Sequence, residues 1–190
     1  VPSLFHSDPL RRRILIALNI DLVVQHVLAR VTEQNTQQLT PVFDEENPIG
    51  STGQMRTWYT TKPPVSTQKS HVSHLVGDSS WEGYAANVLE TRDEVLAYAK
   101  NDHLGFQVYY MWAGSRRRYL PDFLVRLRDG TLLALEVKGT DSPQNKAKRE
   151  ALDEWVKAVN AAGGFGRWAW DVAFRPEDVR DVITRHAGGA

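Results

Sequence analysis

The stretch YLPDFLVRLRDGTLLALEVKG, residues 119–139, sets two runs of alternating apolar residues around an Asp-Gly pair, the pattern of a β-hairpin. Loop length decides which residues face each other. A two-residue loop pairs Arg128 with Thr131 and sets Val125 against Ala134, which scrambles both faces. A three-residue loop with a glycine bulge pairs Leu127 with Thr131 and Val125 with Leu133. Phe123, Val125 and Leu127 then share one apolar face with Leu133, Leu135 and Val137. A slip of one residue would turn a whole strand over, so this second register is the expected one.

The same register carries chemistry. It sets Asp122 directly across from Glu136, with Lys138 on the same face. Opposed Cβ atoms lie roughly 4.5–5.5 Å apart, and carboxylates that close repel unless a cation or a proton sits between them. Oxygen ligands of this kind suit Mg²⁺, which is held by one or two carboxylates together with waters and substrate phosphate. A neighbouring lysine can hold or activate the attacking water and offset charge developing on a phosphate. The competing reading is structural: Asp122 after Pro121 caps a bend, and Glu136 and Lys138 belong to a solvated strand face.

Along the rest of the chain, Asp8 before Pro9 is a helix start. Leu10, Ile14, Leu18, Leu22 and Val23 continue at helical spacing toward Glu33, with Asn19-Ile20-Asp21 as the point where the run can break in two. From 35 to 77 the periodicity fails among prolines, which suggests an extended segment packed on the rest, or a linker. Ser79-Ser80-Trp81-Glu82 has the form of a capping box, and Trp81, Tyr84, Ala85, Val88 and Leu89 line one face of the helix after it. A short helix is expected over 92–100 and strands over 106–112, 119–127 and 131–138. Ser142-Pro143 opens a helix with Ala151, Leu152, Trp155, Val156 and Val159 as its buried stripe; a strand over 167–174 and a helix over 176–186 close the chain. The order points to an α/β core, a mixed central sheet flanked by helices, over 78–190, preceded over 1–77 by a helical segment and an extended connector.

Composition narrows the function classes. Formal net charge is zero, so a basic nucleic-acid coat is excluded and any DNA contact must come from a local patch. The chain has no cysteine, which rules out disulfides and thiolate metal sites and is compatible with a cytoplasmic setting. No apolar run is long enough to span a membrane and no signal-peptide pattern opens the sequence, so no membrane partner is expected. Opening on Val rather than Met, it reads as a piece of a longer protein.

Pro121-Asp122 followed by Glu136-x-Lys138 on consecutive strands, after a helix bearing Glu82, resembles the PD-(D/E)xK nuclease core. More closely, the chain resembles the C-terminal endonuclease domain of the Res subunit of type III restriction enzymes. The phrases that carry this are DSSWEGYAANVLE, VLAYAKNDHLGFQVYY, RRRYLPDFLVRLRDGTLLALEVKGTD and KREALDEWVKAVNAAGGFGRWAWDV, with LTPVFDEENPIGSTGQMRTWYT and the helix at 8–30 also alike. The resemblance implies a restriction-endonuclease-like fold and a Mg²⁺-dependent nuclease, with Mn²⁺ able to substitute, that cuts double-stranded DNA. Asp122 and Glu136 would hold the metal, joined by the Val137 carbonyl, Lys138 would position the hydrolytic water, and Glu82 would assist from its helix. It also implies a helicase-like motor region and a modification methyltransferase subunit as partners, and a homodimer is compatible with cutting both strands. No G-x-x-x-x-G-K motif is present, so no ATP site is assigned here. Alternatives are another task of the same nuclease core, such as repair or junction cleavage, and a non-catalytic DNA-binding or subunit-docking domain.

Other clusters carry weaker signals. Arg116, Arg117 and Arg118 could clamp a DNA backbone or form a solvated loop. Lys146 and Lys148, with Gln144 and Arg149, open the helix after Lys138 and could meet phosphate or form an ordinary polar face. Glu82 has a second reading as the capping-box acid. His71-x-x-His74 lacks a third ligand at metal-site spacing. Trp155, Trp168 and Trp170 read as core rather than as base-stacking platforms.

Overall fold

Asp8 accepts hydrogen bonds from the backbone N–H groups of Leu10 and Arg11 at 3.0 and 3.1 Å and so starts helix α1, Pro9–Leu18. Asn19 caps α1 at its C-terminus, and α2 runs Ile20–Gln34, so the break falls at the expected place. The computed structural model describes residues 8–34, 59–77, 79–138 and 140–188. They belong to two units, the α1–α2 pair and everything from residue 59 onward. In the first unit Leu10, Ile14, Leu18, Leu22 and Val27 are all exposed, Leu18 at 79%. The LTPVFDEENPIGSTGQMRTWYT phrase lies, up to Trp58, outside the described residues.

The second unit begins with two short strands, β1 (Val65–Ser66) and β2 (His74–Leu75), paired antiparallel. Helix α3 (Ser80–Thr91) follows, capped by Ser79 Oγ, which accepts from Glu82 N–H at 3.2 Å. Then come β3 (Val95–Lys100), β4 (Val108–Trp112), β5 (Ser115–Tyr119), β6 (Phe123–Leu127) and β7 (Leu132–Val137). Helix α4 (Pro143–Ala162), strand β8 (Trp168–Ala173) and helix α5 (Asp178–Ala187) complete it. The central sheet has the order β3-β6-β7-β8, with only the β7–β8 pairing parallel, while β4 and β5 form a separate hairpin.

The β6–β7 register is the three-residue-loop one. Val125 pairs with Leu133 and Phe123 with Leu135, Leu127 N–H donates to Thr131 O at 2.8 Å, and Gly130 takes φ +89°, the left-handed bulge conformation. One sheet face, bearing Tyr98, Phe123, Val125, Leu127, Leu133 and Leu135, packs on α3 and α5. The other, with Leu124, Ala134, Trp168 and Trp170, packs on α4 and the β4–β5 hairpin. The Trp155 and Trp168 rings meet edge-to-face at 4.9 Å with Phe106 beside both, so they are packing residues.

Two expectations are corrected. Residues 92–100 do not form a helix: Val95–Lys100 is the strand β3, antiparallel to β6. A bulge between Val95 and Ala97 puts both Val95 and Tyr98 in the core, a three-residue spacing that imitates a helix. The single strand expected over 119–127 is two, β5 and β6, separated at Leu120-Pro121-Asp122. The three arginines therefore sit on β5 rather than in a loop. Among the described residues no helix is long and apolar enough to cross a membrane.

Candidate metal centre and nucleic-acid interface

Continuing the β6–β7 register one step past Phe123 and Leu135 brings Asp122 opposite Glu136 at the end of the hairpin. β6 has not yet begun at Asp122, so its carboxylate takes the place of a ladder acceptor: Oδ2 accepts from Val137 N–H at 2.7 Å. Glu136, 8% exposed, accepts from the Tyr119 hydroxyl through Oε2 at 2.9 Å. Each carboxylate thus has one oxygen held by the protein. The second oxygen of Glu136, Oε1, lies 3.7 Å from Lys138 Nζ.

Burial first, and then the charge of Glu136, push the Asp122 carboxyl up to about 7, against the opposing pull of the Val137 N–H. Burial also raises Glu136, opposed by the Tyr119 hydrogen bond and the charges of Lys138 and Lys148. Two neighbouring acids driven toward protonation, both by burial and Asp122 also by the charge of Glu136, form an environment that a cation would relieve. The donor set fits Mg²⁺: two carboxylates at a partly open strand end, the number this ion commonly takes from protein. Among the described residues no group of three or more His, Asp or Glu side chains is placed to hold a metal ion.

Glu82 and Lys138 meet different partners. Glu82, in the first turn of α3, is 2.8 Å from Lys100 Nζ, and its charge reaches Asp122 only as a secondary repulsion. Lys100 sits at the end of β3 beside Asp122: it pairs with Phe123, and the next residue, Asn101, donates its N–H to Asp122 O at 2.8 Å. Val137 is half-buried against the α3 side core, and its N–H, not its carbonyl, makes the contact to Asp122.

The basic residues divide. In the β4–β5 hairpin, Arg118 pairs with Tyr109 and Arg116 with Met111 on an exposed face, with the Arg116 guanidinium 3.8 Å from the Tyr109 ring centroid. Arg117, paired with Tyr110, belongs to the alternate face, the one that carries buried Tyr119. Lys148 lies 5.3 Å from the Tyr119 ring centroid and its charge acts on Glu136. Lys146, by contrast, is exposed and 3.9 Å from Glu150, while Arg149 is tied to Asp141 by two hydrogen bonds. Lys148 and Arg117 are thus on the site side, and Lys146 is not brought to the carboxylates.

Tyr119 and Lys100 were not singled out from sequence. Tyr119 could have been found: it lies two residues before Pro121, at the end of an arginine run, where a buried hydroxyl needs a partner. Tyr119→Phe is expected to destabilise the ion-free chain by about 1–3 kcal/mol, since a buried carboxylate loses its donor. Thermal melts of both proteins in EDTA check this, and a variant as stable as the parent contradicts it.

Compared with known protein families, curated proteins and solved structures, the chain matches none.

Proposed function

We propose that the chain is the DNA endonuclease domain of a type III restriction-modification system, hydrolysing phosphodiester bonds with bound Mg²⁺. The observation that carries this reading is the pairing of Asp122 with Glu136 beside Lys138 at the end of one hairpin, with both acids raised by burial. A bound Mg²⁺ supplies Lewis-acid charge and lowers the pKa of a coordinated water. The protein's own groups do the rest. Val137 N–H and the Tyr119 hydroxyl each hold one oxygen of a carboxylate, and the remaining oxygens of Asp122 and Glu136 would hold the ion. Lys138, about a third exposed, can donate to the attacking water or to a non-bridging phosphate oxygen and offset its growing charge. As the water oxygen bonds to phosphorus it would release a proton to solvent, and as the ester P–O bond breaks the departing oxygen would take a proton from solvent.

Arg117 and Lys148, on the site side, are the groups suited to the flanking phosphates, which explains how a chain of zero net charge could bind DNA. The exposed apolar stripe of α1 and α2 supports a packed neighbouring element, which in that family is the motor region. The methyltransferase subunit and a second copy of the chain are further partners under this reading.

The test is incision of supercoiled plasmid by the purified chain in Mg²⁺ or Mn²⁺, beside calorimetric titration with Mg²⁺. Ion-dependent nicking that disappears in Glu136→Gln supports the assignment. Equal nicking by Glu136→Gln, or no ion bound by the parent chain, overturns it. Ion and DNA binding without hydrolysis would favour the DNA-binding alternative.

A further inference from the structure

Beside the hairpin a cation is enclosed almost as deeply as Glu136. Lys100 is 9% exposed, and its Nζ lies 2.8 Å from Glu82 Oε2, 2.7 Å from Asp102 Oδ2 and 3.0 Å from the Val76 carbonyl oxygen. Two carboxylates and one carbonyl are the oxygen set that a hard divalent ion takes from a protein. In this fold the set is already filled by an ammonium.

We propose that Lys100 is a built-in cation standing in the place of a second divalent ion, so that the centre takes one ion per chain, between Asp122 and Glu136. This rests on the nuclease reading above. It changes the role of Glu82 from assisting at the metal to positioning: its carboxylate holds Lys100, and Lys100 holds positive charge beside Asp122.

Geometry keeps that charge in place. β3 delivers Lys100 to the α3 face of the sheet opposite Phe123, while Asp122, Glu136 and Lys138 continue the opposite face. The bond from Asn101 N–H to Asp122 O ties the two strand ends together at 2.8 Å. The ammonium and the carboxylates therefore occupy neighbouring positions on either side of one strand end. Expelling the ammonium would leave Glu82, itself only 15% exposed at its side chain, without this partner, and breaking one member of such a buried pair is strongly unfavourable. A second divalent ion arriving with Lys100 still in place would meet a like charge at close range. Asn101 Oδ1, buried and lacking a hydrogen-bond partner among the described residues, is one more oxygen near this junction.

The experiment counts ions on the full chain: Mn²⁺ titration followed by electron paramagnetic resonance, and Mg²⁺ titration by calorimetry. The parent chain is expected to bind one ion, lost in Glu136→Gln. Lys100→Arg, which keeps the charge, is expected to bind one. Lys100→Met, which opens the oxygens of Glu82, Asp102 and Val76, is expected to bind two. Two ions in the parent chain, or one in folded Lys100→Met, overturn the inference while leaving the Asp122–Glu136 site intact. No ion in the parent chain overturns that site as well. The parent count decides by itself if Lys100→Met fails to fold.

Discussion

Asp122→Asn is expected to make the ion-free chain more stable at about pH 8 while abolishing both ion binding and hydrolysis. The Asp122 carboxyl stands at about 7 in the fold against an ordinary value of 3.8, through burial and the charge of Glu136. Between those values the folded chain holds its proton more tightly than the unfolded one. Its contribution to stability is therefore full below about pH 4 and is lost as pH rises through about 7. Glu136 shifts in the same direction. For Asp122 alone the loss is about 4 kcal/mol, since each tenfold change in proton affinity is worth roughly 1.4 kcal/mol. Asn carries no charge, so the variant's stability should vary less with pH than the parent's.

Acids held below their ordinary range, such as Asp171 beside Arg185 and His186, act with the opposite sign and only at lower pH. Thermal melts in EDTA between about pH 5 and 8 therefore isolate the hairpin pair. Saturating Mg²⁺ should restore the parent's stability at the alkaline end, by about 2.7 kcal/mol at a hundredfold excess over Kd, and leave Asp122→Asn unmoved. A parent melting point that climbs from pH 5 to 8 without ions, or an Asn variant less stable than the parent at pH 8, contradicts the account.

Lys138→Met separates holding the ion from using it. Lys138 Nζ lies 3.7 Å from Glu136 Oε1, so removing its charge should leave ion affinity unchanged or slightly tighter. Hydrolysis should fall by about 10²–10³, the usual loss when one charge-stabilising donor is removed from a reaction centre. Single-turnover cleavage read beside calorimetric ion binding checks both halves. Loss of ion binding together with cleavage would make Lys138 a structural residue, and unchanged cleavage would remove it from the reaction.

The hairpin was legible because its register depends on residues close in the chain. Alternation of Phe123, Val125 and Leu127 against Leu133, Leu135 and Val137 admits one loop length, and that loop places Asp122 across from Glu136. The caps at Asp8, Ser79 and Ser142 were legible for the same reason, each closing on a backbone N–H within three residues. β3 was not, because its bulge shifts the strand's parity and only pairing with β6 shows which residues turn inward. The surroundings of the two acids were equally hidden. Tyr119 reaches Glu136 across 17 positions and Lys100 reaches Val76 across 24, distances over which no periodic pattern carries information. The sequence alone determined which acids oppose each other, since side-chain alternation on a two-strand ladder is a local property. Only the packing of α3, β3 and β5 around that ladder decided which oxygens are held, how deeply the charges are buried and where the second cation stands.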